Sequence, residues 1–200
     1  MDIIFITAVA VAFAWVLRAR EQRQRIGLLA GYLSRYQIEK HMETLTDGYL
    51  RALGEADPQR REQIFQLLRS TEQDLCGQVA RLAADFERGE KEPARVSKLP
   101  IHLPFATRLH AATFDMRQAL AVHAAGIRAA VTDQDALPAS ERAFTVSAEL
   151  FLLQHTCHWF CKSRFIASAR MLARHKTSYE QVVAAVLPGT RSAYSALVRA

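Results

Sequence analysis

Apolar positions along this chain fall into two kinds of run. The first is unbroken: Ile3 to Leu17 (IIFITAVAVAFAWVL) holds fifteen residues without a charge. As a helix it spans about 22 Å, short of the roughly 30 Å hydrocarbon core of a bilayer. Met1 adds apolar length, Arg18 can snorkel its guanidinium to the headgroups, and Trp15 sits where an interfacial aromatic belongs. Local thinning of the bilayer covers the remainder. A single-pass transmembrane anchor over residues 1–18 is therefore expected. The rival readings are a soluble core helix and a cleaved signal peptide, for which Ala12-Phe13-Ala14 offers a small-x-small pattern. Such a peptide wants a basic region ahead of its apolar run, and here that region is Met1-Asp2.

The second kind of run is periodic, and its period is helical throughout. No stretch of alternating β-branched residues bounded by turn signals occurs. The first helix is expected to continue from the membrane to about Leu53, since no proline interrupts it and Gly27, Gly31 and Gly48 only weaken it. Asp57-Pro58 then reads as the N-cap and first-turn pair of a second helix running to about Arg88. Its stripe is Ile64, Leu67, Leu68, Leu75, Val79, Leu82 and Phe86. Residues 89–104 (GEKEPARVSKLPIHLP), with three prolines and a charge run, read as a linker.

A third helix is expected over Phe105 to Val131, with a seam of mostly small residues that includes Leu109, Met116, Ala119, His123 and Gly126. A fourth runs from Ala139 to His175 behind Pro138 and Ser140. Ser178–Leu187 and Thr190–Ala200 read as two short helices. The fold class is all-α: an antiparallel helical bundle over residues 55–200, joined to the anchor by a juxtamembrane helix over 19–54.

Charge changes this picture by giving it a direction. Arg18, Arg20, Arg23 and Arg25 follow the apolar run, and Lys/Arg-rich flanks stay cytoplasmic. The N-terminus is therefore expected outside and the bulk of the chain in the cytoplasm, at a cell inner membrane. Three cysteines with no regular framework agree with a reducing compartment. The net charge is +6, and residues 162–200, with seven Lys/Arg against Glu180, alone carry +6. This basic C-terminal end, with its cap at residues 176–200, suits anionic lipid, an acidic partner or nucleic acid. Lys162, Arg164, Arg170, Arg174, Lys176 and Arg191 are its candidate contact residues. Met171 to Leu197 superficially suits a helix-turn-helix with Arg191 on the recognition helix. Against that, Val182, Val183, Val186, Leu187, Tyr194, Leu197 and Val198 look like a cap docking back on the bundle, so nucleic acid is the least favoured partner.

Candidate chemistry concentrates in Gln154–Lys162 (QHTCHWFCK), which holds two of seven histidines and two of three cysteines. At about 100° per residue, His155, Cys157, His158 and Cys161 spread over about 160°, too wide for one ion to use all four. The same angles aim His155 at the interior with Phe144, Phe151 and Trp159, set Thr145, Glu149 and Thr156 on a polar stripe, and put both cysteines on a flank. A hairpin turning at position 135 brings Asp115 and His110 level with His155, His158 and Cys161. Those five residues form a candidate metal or haem set, since zinc takes about four N, S or O ligands. The competing and preferred reading is burial, because an Asp–His pair satisfies itself without a metal. No cofactor is expected on that reading. His102, between two prolines, is expected to be solvated. No phosphate loop, dinucleotide fingerprint or nucleophile elbow occurs. The pattern as a whole points to a non-catalytic scaffold, adaptor or accessory subunit, acting through a protein partner or as a homo-oligomer. A metal- or haem-dependent sensor or redox protein and a membrane-tethered nucleic-acid binder are the alternatives.

Overall fold

In a computed structural model, which describes residues 2–132 and 138–199, the described chain is all-α apart from one short ribbon. The elements are α1 (Asp2–Leu33), α2 (Ile38–Gly54), α3 (Pro58–Glu87), β1 (Arg95–Ser97), β2 (Thr113–Asp115), α4 (Met116–Thr132), α5 (Ala139–Cys161), α6 (Arg164–His175), α7 (Tyr179–Ala185) and α8 (Pro188–Val198). The expected turn at 133–135 lies outside the described residues.

Helix α1 stands clear of the rest over its apolar half, where Ile3, Phe5 and Trp15 are all at least 69% exposed. It is long and apolar enough to cross a membrane. From Glu21 onward it docks: Gln22 and Leu29 are buried, and the Arg25 guanidinium donates to the carbonyls of Phe160 (3.2 Å) and Arg95 (3.1 Å).

The single helix expected up to Leu53 is two helices with an elbow at Ser34–Gln37. The elbow is held from outside. Tyr36 Oη donates to Asp85 Oδ2 (2.7 Å), and the backbone N–H of Gln37 donates to Gln78 Oε1 (2.6 Å). The bend turns the apolar stripe of α2, Ile38, Leu45, Tyr49 and Ala52, onto α3 and buries it. Helix α3 starts as its sequence implies. The Asp57 carboxylate accepts from the N–H groups of Gln59 and Arg60, with Pro58 in the first turn. Leu67 departs from the expected stripe and is 76% exposed.

The segment expected as linker and helix start contains an antiparallel ribbon, with Val96 opposite Phe114. Two 3-10 turns, Ala106–Arg108 and His110–Ala112, lie between its strands, so α4 begins at Met116 rather than Phe105. The pair is anchored by burial of Val96 and Phe114, by the Phe114 ring edge-on to Trp159, and by Trp159 Nε1–H donating to Ser97 O (2.9 Å). Phe105 has φ 61°, the left-handed region, which an α-helix does not contain.

Helix α5 lies at the centre, packed against α4, α6, α7 and parts of α1 and α2. It is buried around most of its circumference, as an all-round apolar helix should be. The fourth helix breaks after Cys161 because Ser163 caps a new one, its Oγ accepting from the Ile166 N–H (3.3 Å). The phase set by Trp159 therefore does not carry into α6, and Ala169 and Ala173 are exposed. Phe144, also expected inside, is 62% exposed. Helices α7 and α8 dock back on the bundle as a cap, with Val182, Val186 and Tyr194 buried on Leu152 and Met171.

Candidate functional site

The interior of the α4–α5–α8 junction is polar. Thr156 Oγ1 donates to Leu152 O one turn back (2.9 Å), and it also lies 2.9 Å from His123 Nε2 and 3.1 Å from Tyr194 Oη. A hydroxyl has one proton and two acceptor sites. With that proton on Leu152 O, both His123 Nε2 and Tyr194 Oη must donate to Thr156. This assigns the His123 proton to Nε2 by the network and leaves Nδ1 a buried acceptor without a partner among the described residues. Burial holds His123 down to about 3, so it is neutral at all ordinary pH.

Glu149, about two turns below Thr156 on α5, is fully buried. Its Oε1 accepts the Leu187 N–H (3.0 Å) at the start of α8. Its Oε2 faces Gly126 and Thr190, and no hydrogen bond to either Glu149 Oε2 or Thr190 Oγ1 has good geometry. Burial pushes the Glu149 carboxyl up to about 7, against the hydrogen-bonding groups of Thr190 and Leu187. The expected polar stripe of Glu149 and Thr156 is therefore interior, because α8 covers it. A second buried polar set joins α2, α3 and α5: Tyr49 Oη donates to Glu72 Oε1 (2.5 Å), with Arg142 buried nearby.

The cysteine–histidine segment divides three ways. His155 is buried: Nε2 bonds Ser168 Oγ (3.1 Å), and the ring leans on Tyr179 and on the edge of Trp159. Desolvation, with Arg164 adding to it, holds it down to about 3. Cys157, His158 and Cys161 instead open onto a cavity of about 620 Å³ between α1, α2 and α5, walled by Ile26, Leu29, Leu33, Met42, Leu82 and Leu153. Burial pushes the Cys157 thiol up to about 12 and raises that of Cys161 as well, so both stay protonated and weakly nucleophilic. His158 also lines a smaller cleft beside Arg170 and Arg174; burial first, then those arginines, lower its pKa.

Asp115 does not join these groups. It forms a two-point pair with Arg117 (Nη2–Oδ2 2.6 Å, Nε–Oδ1 3.0 Å). Burial pushes its carboxyl up, but the Arg117 hydrogen bonds prevail and hold it below the usual range. The helix pairing runs later along α5 than a turn at 135 implies, since His123 meets Thr156 and Gly126 meets Glu149. The side chain of His110 lies outside the described residues. Among the described residues no group of three or more His, Cys, Asp or Glu is placed to hold one metal ion.

The basic candidates are spread over several tasks. Lys162 Nζ donates to Gln22 Oε1 (3.1 Å), tying α5 to α1. Arg164 lies over Trp159 and Tyr179. Lys176, at φ 54°, ends α6 and donates to Ala173 O. Arg191 donates to the carbonyls of Val183, Ala184 and Val186, at the C-terminus of α7, where a cation suits the helix dipole. Arg170 and Arg174 stay exposed. His102 is buried, correcting the expectation of a solvated side chain: its Nε2 sits 3.0 Å from Glu21 Oε2.

Sequence reasoning missed the roles of Glu149, Thr190 and Tyr194. The available signal was confined to Glu149, a charge set among Val146, Ala148, Leu150 and Phe151; Thr190 and Tyr194 sit in mixed polar sequence that gives none. No family model, no curated protein and no solved structure matches this chain.

Proposed function

We propose that this chain is a non-catalytic, membrane-anchored helical scaffold, adaptor or accessory subunit of an inner-membrane complex. On this reading α1 spans the bilayer once with its N-terminus outside, and the helical domain lies in the cytoplasm with a protein partner or a second copy bound to it. One observation carries the reading: the uncharged stretch Ile3–Leu17 projects from a domain whose own core is complete without it. So much contiguous exposed apolar surface requires a cover, and hydrocarbon is the one its length and lack of charge fit. Burial of His123 and His155 and the raised Cys157 thiol leave these groups poor proton-transfer and nucleophilic catalysts, which supports a binding role over a catalytic one.

Affinity capture of the tagged full chain from native membranes in mild detergent tests this. Reproducible recovery of a stoichiometric partner, or of a second tag carried by the same chain, supports the reading. Recovery of the bait alone, as a monomer, overturns it. A reporter fused at the C-terminus and active only outside the inner membrane would overturn the orientation.

A further inference from the structure

Five large apolar side chains cluster at one end of the helical domain. Ile101, Leu103, Phe105, Leu109 and Phe165 are between 45% and 64% exposed. They come from two segments, and both are tied to α1 at the same level. Glu21 Oε1 accepts the Phe105 N–H (3.2 Å), and Glu21 Oε2 meets His102 Nε2 (3.0 Å). The Phe165 N–H donates to Pro100 O (3.0 Å), and Lys162 Nζ donates to Gln22 Oε1 (3.1 Å).

That level is close to the end of the apolar run. Glu21 is four residues beyond Leu17, about 6 Å along a helix axis. The headgroup layer of one leaflet is of similar thickness, and elements lying in an interface bury their apolar face about 5–10 Å deep. Side chains fixed at Glu21 therefore reach the interface without any movement of the domain. The backbone is shaped for this placement: Phe105 holds φ 61°, a conformation that costs a bulky L-residue, and its N–H is the one that Glu21 accepts. Arg20 and Arg23 are exposed at the same level along α1, with Arg18 and Lys162 partly so, and cations at that height are drawn to an anionic leaflet.

We infer that residues 99–109 and the first turn of α6 form a second, monotopic membrane contact, seated among anionic headgroups of the leaflet from which α1 emerges. This rests on α1 spanning the bilayer as proposed above. The occupant of the apolar patch is the lipid surface, and the domain is held flat against it rather than carried on a free stalk.

Depth-dependent quenching in the reconstituted full chain tests the contact and the span separately. Vesicles of mixed zwitterionic and anionic phospholipid carry bromine high or low on the acyl chain. In the wild type, Trp15 reports the span while buried Trp159 gives a constant background. In a Trp15→Phe background, Leu103→Trp and Phe165→Trp report the contact from two separate segments. The expected result is loss of emission at both new positions, greater with the high bromine than with the low. If Trp15 is quenched while both new tryptophans keep their emission with either bromolipid and are quenched by aqueous iodide, the contact is overturned and the span stands. If Trp15 is not quenched, the span itself fails and this inference fails with it.

Discussion

Thr156 Oγ1 lies 2.9 Å from His123 Nε2 in space closed to solvent, and the same oxygen serves Tyr194. One hydroxyl thus satisfies polar groups from α4 and α8. Thr156→Val keeps the shape and removes the acceptor, leaving the buried His123 donor unpaired at a cost of about 1–3 kcal/mol, while Tyr194 still has Tyr179 as a partner. Thr156→Ser retains the oxygen and should cost well under half as much. Urea midpoints in mild detergent, followed by Trp159 fluorescence, measure both; equal losses would show that the methyl group, not the hydroxyl, matters.

Gly126 makes the close approach of α4 to Glu149 and α8. A Cβ there would sit 2.5 Å from Glu149 Oε2 and collide with Thr190 Oγ1. Alanine in a helix is ordinarily better than glycine by about 1 kcal/mol, and at Gly77, exposed on α3 with nothing within 4 Å, Gly77→Ala should stabilise by about that much. At Gly126 the overlap should win and reverse the sign, destabilising by about 1–3 kcal/mol. Thermal melts of the two variants are expected to move in opposite directions.

Glu149 couples the fold to pH. Its carboxyl is raised from 4.5 to about 7, so the folded chain holds a proton that the unfolded chain releases. Stability from this group is full below pH 4.5 and is lost as pH rises through about 7, by on the order of 3 kcal/mol. Glu149→Gln keeps the acceptor for Leu187 and removes the titration. It should match the wild type near pH 4.5 and exceed it in stability at pH 8. His123 and His155, held down to about 3, act in the opposite sense: their contribution is full above 6.5 and is lost as pH falls towards 3. Acid should therefore unfold both proteins alike. A difference between them that is flat across pH would refute the assigned cause.

The thiols give a further check. Cys157 and Cys161, raised by burial, should react with an aromatic disulfide reagent at pH 8 far more slowly than they do in denaturant. No disulfide between them is expected on oxidation, because side chains one helical turn apart hold their Cβ atoms beyond the roughly 4 Å a bridge needs. Mass analysis after mild oxidation reads this directly.

Much of the architecture could be read from residues with local meaning. Asp57-Pro58 marked the start of α3, and the unbroken run to Leu17 marked the helix that leaves the domain, whereas α8 begins at Pro188, two residues before the expected start at Thr190. The breaks at Ser34–Gln37 and after Cys161 could not be read this way. The first is imposed by Asp85 and Gln78, some forty residues away or more, and the second by a serine of a kind that also occurs within helices. The ribbon escaped because Arg95–Ser97 is three residues long, too short to display an alternation. At the candidate site, angles around one helix placed His155 inside and the cysteines on a flank. They could not say that α8 covers Glu149 and Thr156, since that depends on where a separate helix docks.

Helix α1 has one more consequence. Its 32 residues make a single rod about 48 Å long, and no break falls between Leu17 and Leu33. Over that stretch Glu21, Gln22 and Arg25 are each bonded to segments of the helical domain. The rod and the domain therefore turn together, like a key and its bit. A neighbour that rotated or tilted the outer half of α1 would swing the face bearing Arg170 and Arg174 as one body, with no joint along the way to absorb the motion.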